Sequence, residues 1–236
     1  ARYLDVQLIN DFVPESPGDQ AVMNGMSGIW RAGDENLAAS TVTSLGNNQY
    51  RLSRLLRGIR GSEHAADDHV IGECVVCLDS AIFIPLEMSD YNTTLLFKIS
   101  AAGADHLDDI PPVAHAYEGE NYLIPSPVDI QAERDSVGNI AIKWKRRNRI
   151  GGDLVDGQDI PLGEDGEAYE IDVYNGGSVV RTIRAEAAGG GPLAMPEITY
   201  TADEQITDFT VVQSSLDVKV YQIGKVGRGR EAAATV

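Results

Sequence analysis

The second half of this chain is punctuated by turn chemistry at near-regular intervals, and that spacing limits its fold more than any other feature. Seven short runs of strand character (Val128 to Ala132, Asn139 to Lys145, Ala168 to Tyr174, Ser178 to Ile183, Phe209 to Gln213, Val218 to Ile223 and Glu231 to Val236) are separated by Ser-Val-Gly-Asn, Asn-Gly-Gly, Ala-Gly-Gly-Gly-Pro and Gly-Arg-Gly. Asn, Ser and Gly supply the local hydrogen bonds and the positive φ that tight turns require. Runs of this length, so closely interrupted, exclude a helical bundle and predict two packed antiparallel sheets.

Trp144, early in the second run, is the expected core anchor, which makes the pattern that of an immunoglobulin or fibronectin type III sandwich. Arg149 to Glu167 is long for a strand connection and carries six acids, so it reads as an exposed excursion. In the first half, Leu4 to Ile9, Tyr50 to Leu56, Val70 to Leu78, Ala81 to Ile84 and Leu95 to Ser100 read as strands, with Pro85 ending the fourth of them. Arg51, Arg54, Arg57 and Arg60 would also line one face of a short helix, against which Gly58 and Gly61 argue. Paired prolines near residues 119–128 disfavour helix and central strand alike. The expected organisation is therefore mainly β: a β-rich domain at 1–125 followed by a fibronectin type III-like antiparallel β-sandwich at 126–236.

A net charge of −17 repels nucleic acid and anionic lipid, so neither is an expected partner. No apolar run approaches the ~18 residues that span a bilayer, and residues 1–20 lack the pattern of a secretory signal. The first residue is Ala1 rather than Met, which reads as a processed product or part of a longer chain. Two cysteines, Cys74 and Cys77, give no disulfide framework and fit assembly in a reducing cytoplasm.

Candidate chemistry is sparse. Cys74 and Cys77 have redox or metal spacing, but on a strand they face opposite sides and no third thiol is present, so both read as buried structural thiols. His64 and His69 lie among acids without a metalloprotease or calcium-loop pattern, and a solvated or turn-stabilising role is expected. His106 and His115 have no nucleophile motif beside them. Asp67/Asp68, Asp108/Asp109 and Glu164/Asp165 read as solvated loops, while Asp153, Asp156 and Asp159 are the best oxygen set for a calcium ion, though not at EF-hand spacing. On a strand, Lys143, Lys145 and Arg147 share an outer face and Ile142, Trp144 and Arg146 the inner one. In so acidic a chain those bases are expected to pair with the nearby acidic loop or a neighbouring subunit.

Three ordered segments carry a family resemblance. The first is Leu56-Arg57-Gly58, Gly61-Ser62 and His69-Val-Ile-Gly72. The second runs from Ile142-Lys-Trp144-Lys-Arg146-Arg147-Asn-Arg149 through Ile160-Pro-Leu-Gly-Glu164 to Glu167-Ala-Tyr169-Glu170. The third runs from Tyr200-Thr-Ala-Asp-Glu-Gln205 through Val220-Tyr-Gln222 to Val226-Gly-Arg-Gly229. Together they resemble the C-terminal region of the baseplate hub, or host-specificity tail-tip protein, of gene transfer agents and related tailed siphophages. The chain departs from the common pattern at Ser62, often Thr, and in the acidic insertion of Asp153 to Asp159.

The resemblance implies a non-enzymatic structural component of a virion tail tip, assembled in the bacterial host cytoplasm. It implies a homotrimer around the tail axis, other tail-tip and baseplate proteins as partners, and fibronectin-like modules presented to a host receptor or glycan. The family's glycoside-hydrolase-like barrel lies upstream of the matched region, so no catalytic residue carries over and no cofactor or metal is expected. Arg54, Arg57, Arg60, His69, Lys145, Arg147 and Arg149 are the expected interface residues, with Arg57 and Arg60 beside glycines suited to gripping carboxylates or carbonyls. Two other classes remain open. A carbohydrate-binding module would stack sugars on Trp30, Tyr117, Tyr122 or Tyr174, and a glycan hydrolase would need a carboxylate pair that the sequence does not single out.

Overall fold

The computed structural model describes residues 2–25, 27–100, 109–149, 160–187 and 189–236. They form two compact units, one running through Ile84 and the other beginning at Pro85. The proposed calcium ligands Asp153, Asp156 and Asp159, with His106 and Asp108, lie outside the described residues.

In the first unit, β1 (Tyr3–Gln7), β2 (Ile29–Ala32), β3 (Glu35–Gly46), β4 (Gln49–Leu56) and β5 (Val75–Cys77) make one antiparallel sheet in the order β1-β4-β3-β2-β5. Val6, Trp30, Leu37, Ala39, Tyr50 and Leu52 form its core, and the short helix α1 (Asp19–Met23) packs against β3. β3 and β4 are joined at Asn47 and Asn48, both at positive φ, the geometry of a two-residue hairpin turn matched to strand twist. β3 is the longest strand yet carries no alternation, because Leu37 to Ser40 are buried consecutively in mid-sheet. The expected Val70 to Leu78 strand contracts to β5, since Gly72 turns the chain at φ +88. Ala81 to Ile84 lies outside any strand.

The second unit holds a two-stranded hairpin, β6 (Thr93–Phe97) and β7 (Val113–Tyr117), and then a seven-stranded sandwich. Its sheets are β12 (Glu197–Tyr200), β9 (Ile140–Lys145) and β8 (Val128–Arg134) against β11 (Ser178–Glu186), β10 (Ala168–Asn175), β13 (Asp217–Gly224) and β14 (Gly227–Thr235). The fourth strand of the sandwich, β11, pairs with the third and not with the opposite sheet, which distinguishes a fibronectin type III-like sandwich from the constant-type immunoglobulin arrangement. The inward series Ile140, Ile142, Trp144 and Tyr169, Ile171, Val173 meets Val218 and Val220 in one core, with Trp144 edge-on to Tyr169 at 5.0 Å. The boundary expected near residue 125 falls inside this unit, between β7 and β8.

One strand of the seven was misplaced. Phe209 to Gln213 is not a strand: α2 (Ala202–Phe209) runs into it and Thr210 closes the helix at φ +69. β12 takes the place in the sheet, four residues just after Pro196.

Candidate functional site

Glu35 opens β3 on the core-facing parity of Leu37 and Ala39, and its side chain is fully buried. A lone carboxylate there would be strongly unfavourable, and the first resemblance segment supplies its partners. Arg57, next after β4, donates from Nε to Glu35 Oε1 at 2.7 Å and Oε2 at 2.9 Å, and from its fork to the Ala66 carbonyl. The Gly58 N–H donates to Oε1 at 2.7 Å. Gly58 is left-handed (φ +62), and a Cβ there would lie 2.7 Å from Glu63 Cα, so only glycine fits. Ser62 Oγ accepts from the Asn36 N–H at 2.8 Å and donates to the Ile59 carbonyl at 2.8 Å.

His69 completes the knot. Its Nε2 lies 2.7 Å from Glu35 Oε2 and its Nδ1 2.6 Å from Glu73 Oε1. Two carboxylate acceptors require either N–H donors at both ring nitrogens or a proton on one carboxyl. Burial alone would raise the Glu35 carboxyl; the bonds from Arg57, His69 and the Gly58 N–H outweigh it and hold the group below the ordinary carboxylate range.

The second segment builds a similar knot in the sandwich. Glu167 has no exposed side-chain surface and sits one alternation ahead of Tyr169, Ile171 and Val173. It accepts from the Tyr169 hydroxyl at 2.6 Å, from the Leu193 N–H at 2.7 Å and from Arg146 at 3.4 Å. Arg146 also donates to the Ile160 carbonyl at 2.8 Å. Burial pushes the Tyr169 phenol up, and its bond to Glu167 pushes it further. The third segment contributes the capping box of α2, where Thr201 and Glu204 satisfy one another's backbone N–H groups. Gln205, fully buried, donates to the Gly138 and Tyr200 carbonyls at 3.0 and 3.2 Å. Arg228 forks onto Asp172 at 2.6 and 3.0 Å.

The expected interface residues are therefore dispersed. Arg57 and His69 converge on Glu35. Arg54 is exposed at φ +54 and pairs with Asp19, and Arg60 is exposed at φ +59. Lys145 pairs with Asp129 at 2.5 Å and Arg147 is half-buried just beyond β9. Arg149 pairs with Glu164 at 2.6 Å and lies 5.2 Å over the Tyr122 ring. Glu164 is thus a buried ion-pair partner and not a solvated loop residue. Cys74 is exposed and only Cys77 is half-buried, its thiol raised chiefly by burial, so the expectation of two buried thiols is corrected.

The aromatics proposed for sugar stacking are also differently placed. Trp30 and Tyr117 are 1% and 6% exposed, and Tyr174 stands beneath Lys219 at 5.6 Å. A groove of about 790 Å³ runs beside β9 past Lys143, Lys145, Arg146 and Leu193, but its aromatic, Trp144, is turned into the core. Among the described residues, no three His, Cys, Asp or Glu side chains are placed to hold a metal ion.

Glu35, Glu167 and Arg146 were not recognised as partners from the sequence. One signal was present for both acids: a carboxylate at the core parity of the apolar series that follows it, Glu35-x-Leu37-x-Ala39 and Glu167-x-Tyr169-x-Ile171.

Residues 1–76 match the family model described as Rcc01698-like, C-terminal, whose namesake lies in the gene-transfer-agent region of Rhodobacter. No curated protein sequence matches the chain. Among solved structures, domains d3–d4 of the rat CD45 extracellular region align at 10% identity over 71% of this chain and 76% of that one, with a TM-score of 0.32. The FN5 domain of Drosophila Lar aligns at 13% identity over 48% of this chain and 95% of that one, with a TM-score of 0.28.

Proposed function

We propose that this chain is a non-enzymatic structural component of a phage-like tail tip, part of a baseplate hub assembled as a trimer around the tail axis. The observation that carries the reading is the match of residues 1–76 to the Rcc01698-like, C-terminal family model. The geometry is consistent with it. Arg57, His69, Arg146 and Arg149 brace buried or nearly buried carboxylates within the chain, which suits a rigid connecting module. In this reading the partners are other tail-tip and baseplate proteins, and the fibronectin type III-like sandwich serves as a spacer toward the host surface.

Mass spectrometry of gradient-purified particles from the cells that make the chain tests this. The chain should co-migrate with tail proteins at a fixed ratio that is a multiple of three per particle. Its absence from particles that retain their tail proteins would overturn the proposal.

A further inference from the structure

We propose that the outer edge of β5 is a docking strip for a basic, apolar β-strand of another protein. β5 is the last strand of its sheet, paired on one side with β2 through Trp30↔Cys77, Arg31↔Val76 and Ala32↔Val75, and among the described residues no strand pairs its other side. The backbone N–H and C=O groups along such an edge are a template for strand addition.

Large apolar side chains stand exposed on this strand and in the chain segments that precede and follow it. Val70 and Ile71 precede it at 68% and 107% exposure, Val76 lies on it at 47%, and Ile82, Phe83 and Ile84 follow it at 93%, 67% and 62%. Single exposed apolar residues are ordinary, but a concentration of this kind marks a surface that is covered in use.

Charge names the occupant. From Gly61 to Ile84 there are five carboxylates and no lysine or arginine. Asp67 and Asp68 are exposed beside Val70, and Arg31, opposite Val76 in register, is tied to Asp34 at 2.8 Å. A second copy presenting the same edge would bring like charges together, which is unfavourable; a strand flanked by Lys or Arg would be attracted and held in register. The shortness of β5, three residues, limits open-ended pairing while leaving room for one partner. The strip is also firmly mounted: Glu73, two residues before β5, is bound to His69, and the Gly33 N–H donates to the Cys74 carbonyl at 3.1 Å.

The test uses the whole chain and two synthetic peptides, one alternating Lys and Val and one alternating Glu and Val. Hydrogen exchange should show the Lys-Val peptide protecting the amides of Val75 and Cys77, which face the open edge while that of Val76 faces β2, with no such protection by the Glu-Val peptide. Val76→Lys, at a half-exposed position that leaves the core intact, should weaken binding about tenfold while the melting temperature is retained. Asp67→Lys with Asp68→Lys should weaken it similarly. Equal protection by both peptides, protection spread over the other sheet edges, or none at β5 would overturn the proposal. So would sedimentation showing self-association that Val76→Lys abolishes, since that would give the strip to a second copy.

Discussion

Glu35 concentrates the physical logic of the first resemblance segment in one side chain. Removing one partner of a buried ion pair strands the other charge, so Arg57→Ala should destabilise the first unit by about 3 kcal/mol in urea unfolding. Acid should act on the same group. The Glu35 carboxyl is held low in the folded chain, as are those of Asp172 and Asp208, the last chiefly by Arg181. A depressed carboxyl contributes stability above its unfolded pKa and loses it as pH falls through the folded one. The urea midpoint should therefore be flat near neutrality and drop below about pH 4. In Arg57→Ala that acid-dependent loss should shrink for the first unit, because the largest of the three interactions that lower Glu35 is gone while His69 and the Gly58 N–H remain.

At the scale of elements, turns and caps decide where strands begin and stop. Gly58→Ala meets both a left-handed backbone and the Glu63 main chain, and should cost about 2 kcal/mol or more. Gly176→Ala has the same sign of φ but open space, and should cost only about 1 kcal/mol, as thermal unfolding of the pair would report. Thr201→Ala removes the α2 cap and should cost about 1 kcal/mol in the second unit.

The same elements show what was legible in the sequence. Turn signals at near-regular spacing made β9, β10, β11, β13 and β14 readable, because Gly, Asn and Ser mark where each strand ends. β3 was invisible because burial on successive residues erases the alternation. Phe209 to Gln213 looked like a strand from its Phe, Thr and Val content, yet Val211 and Val212 are exposed, and Thr201 with Glu204 was the capping signal of a helix that begins just ahead of it. The charged side chains were legible as residues but not as partnerships: Arg57 and His69 were singled out, whereas the carboxylate they share lies 22 and 34 residues away in the chain.

For the whole molecule, two separate cores predict two separable responses. Leu52 and Ile171 are each fully buried, one in each core, and replacing either with Ala should cost about 2–5 kcal/mol. Calorimetry should show Leu52→Ala lowering one transition and Ile171→Ala the other, as expected of units with their own cores. In the proposed reading, the fibronectin type III-like sandwich and the five-stranded sheet are independent modules of one tail-tip assembly. The claim on which that account depends is location, and the most direct measurement is electron cryomicroscopy of purified tails carrying the chain with a fused density tag. The account predicts tag density in a threefold ring at the tail tip; density elsewhere on the particle, or on none of the tails, would contradict it.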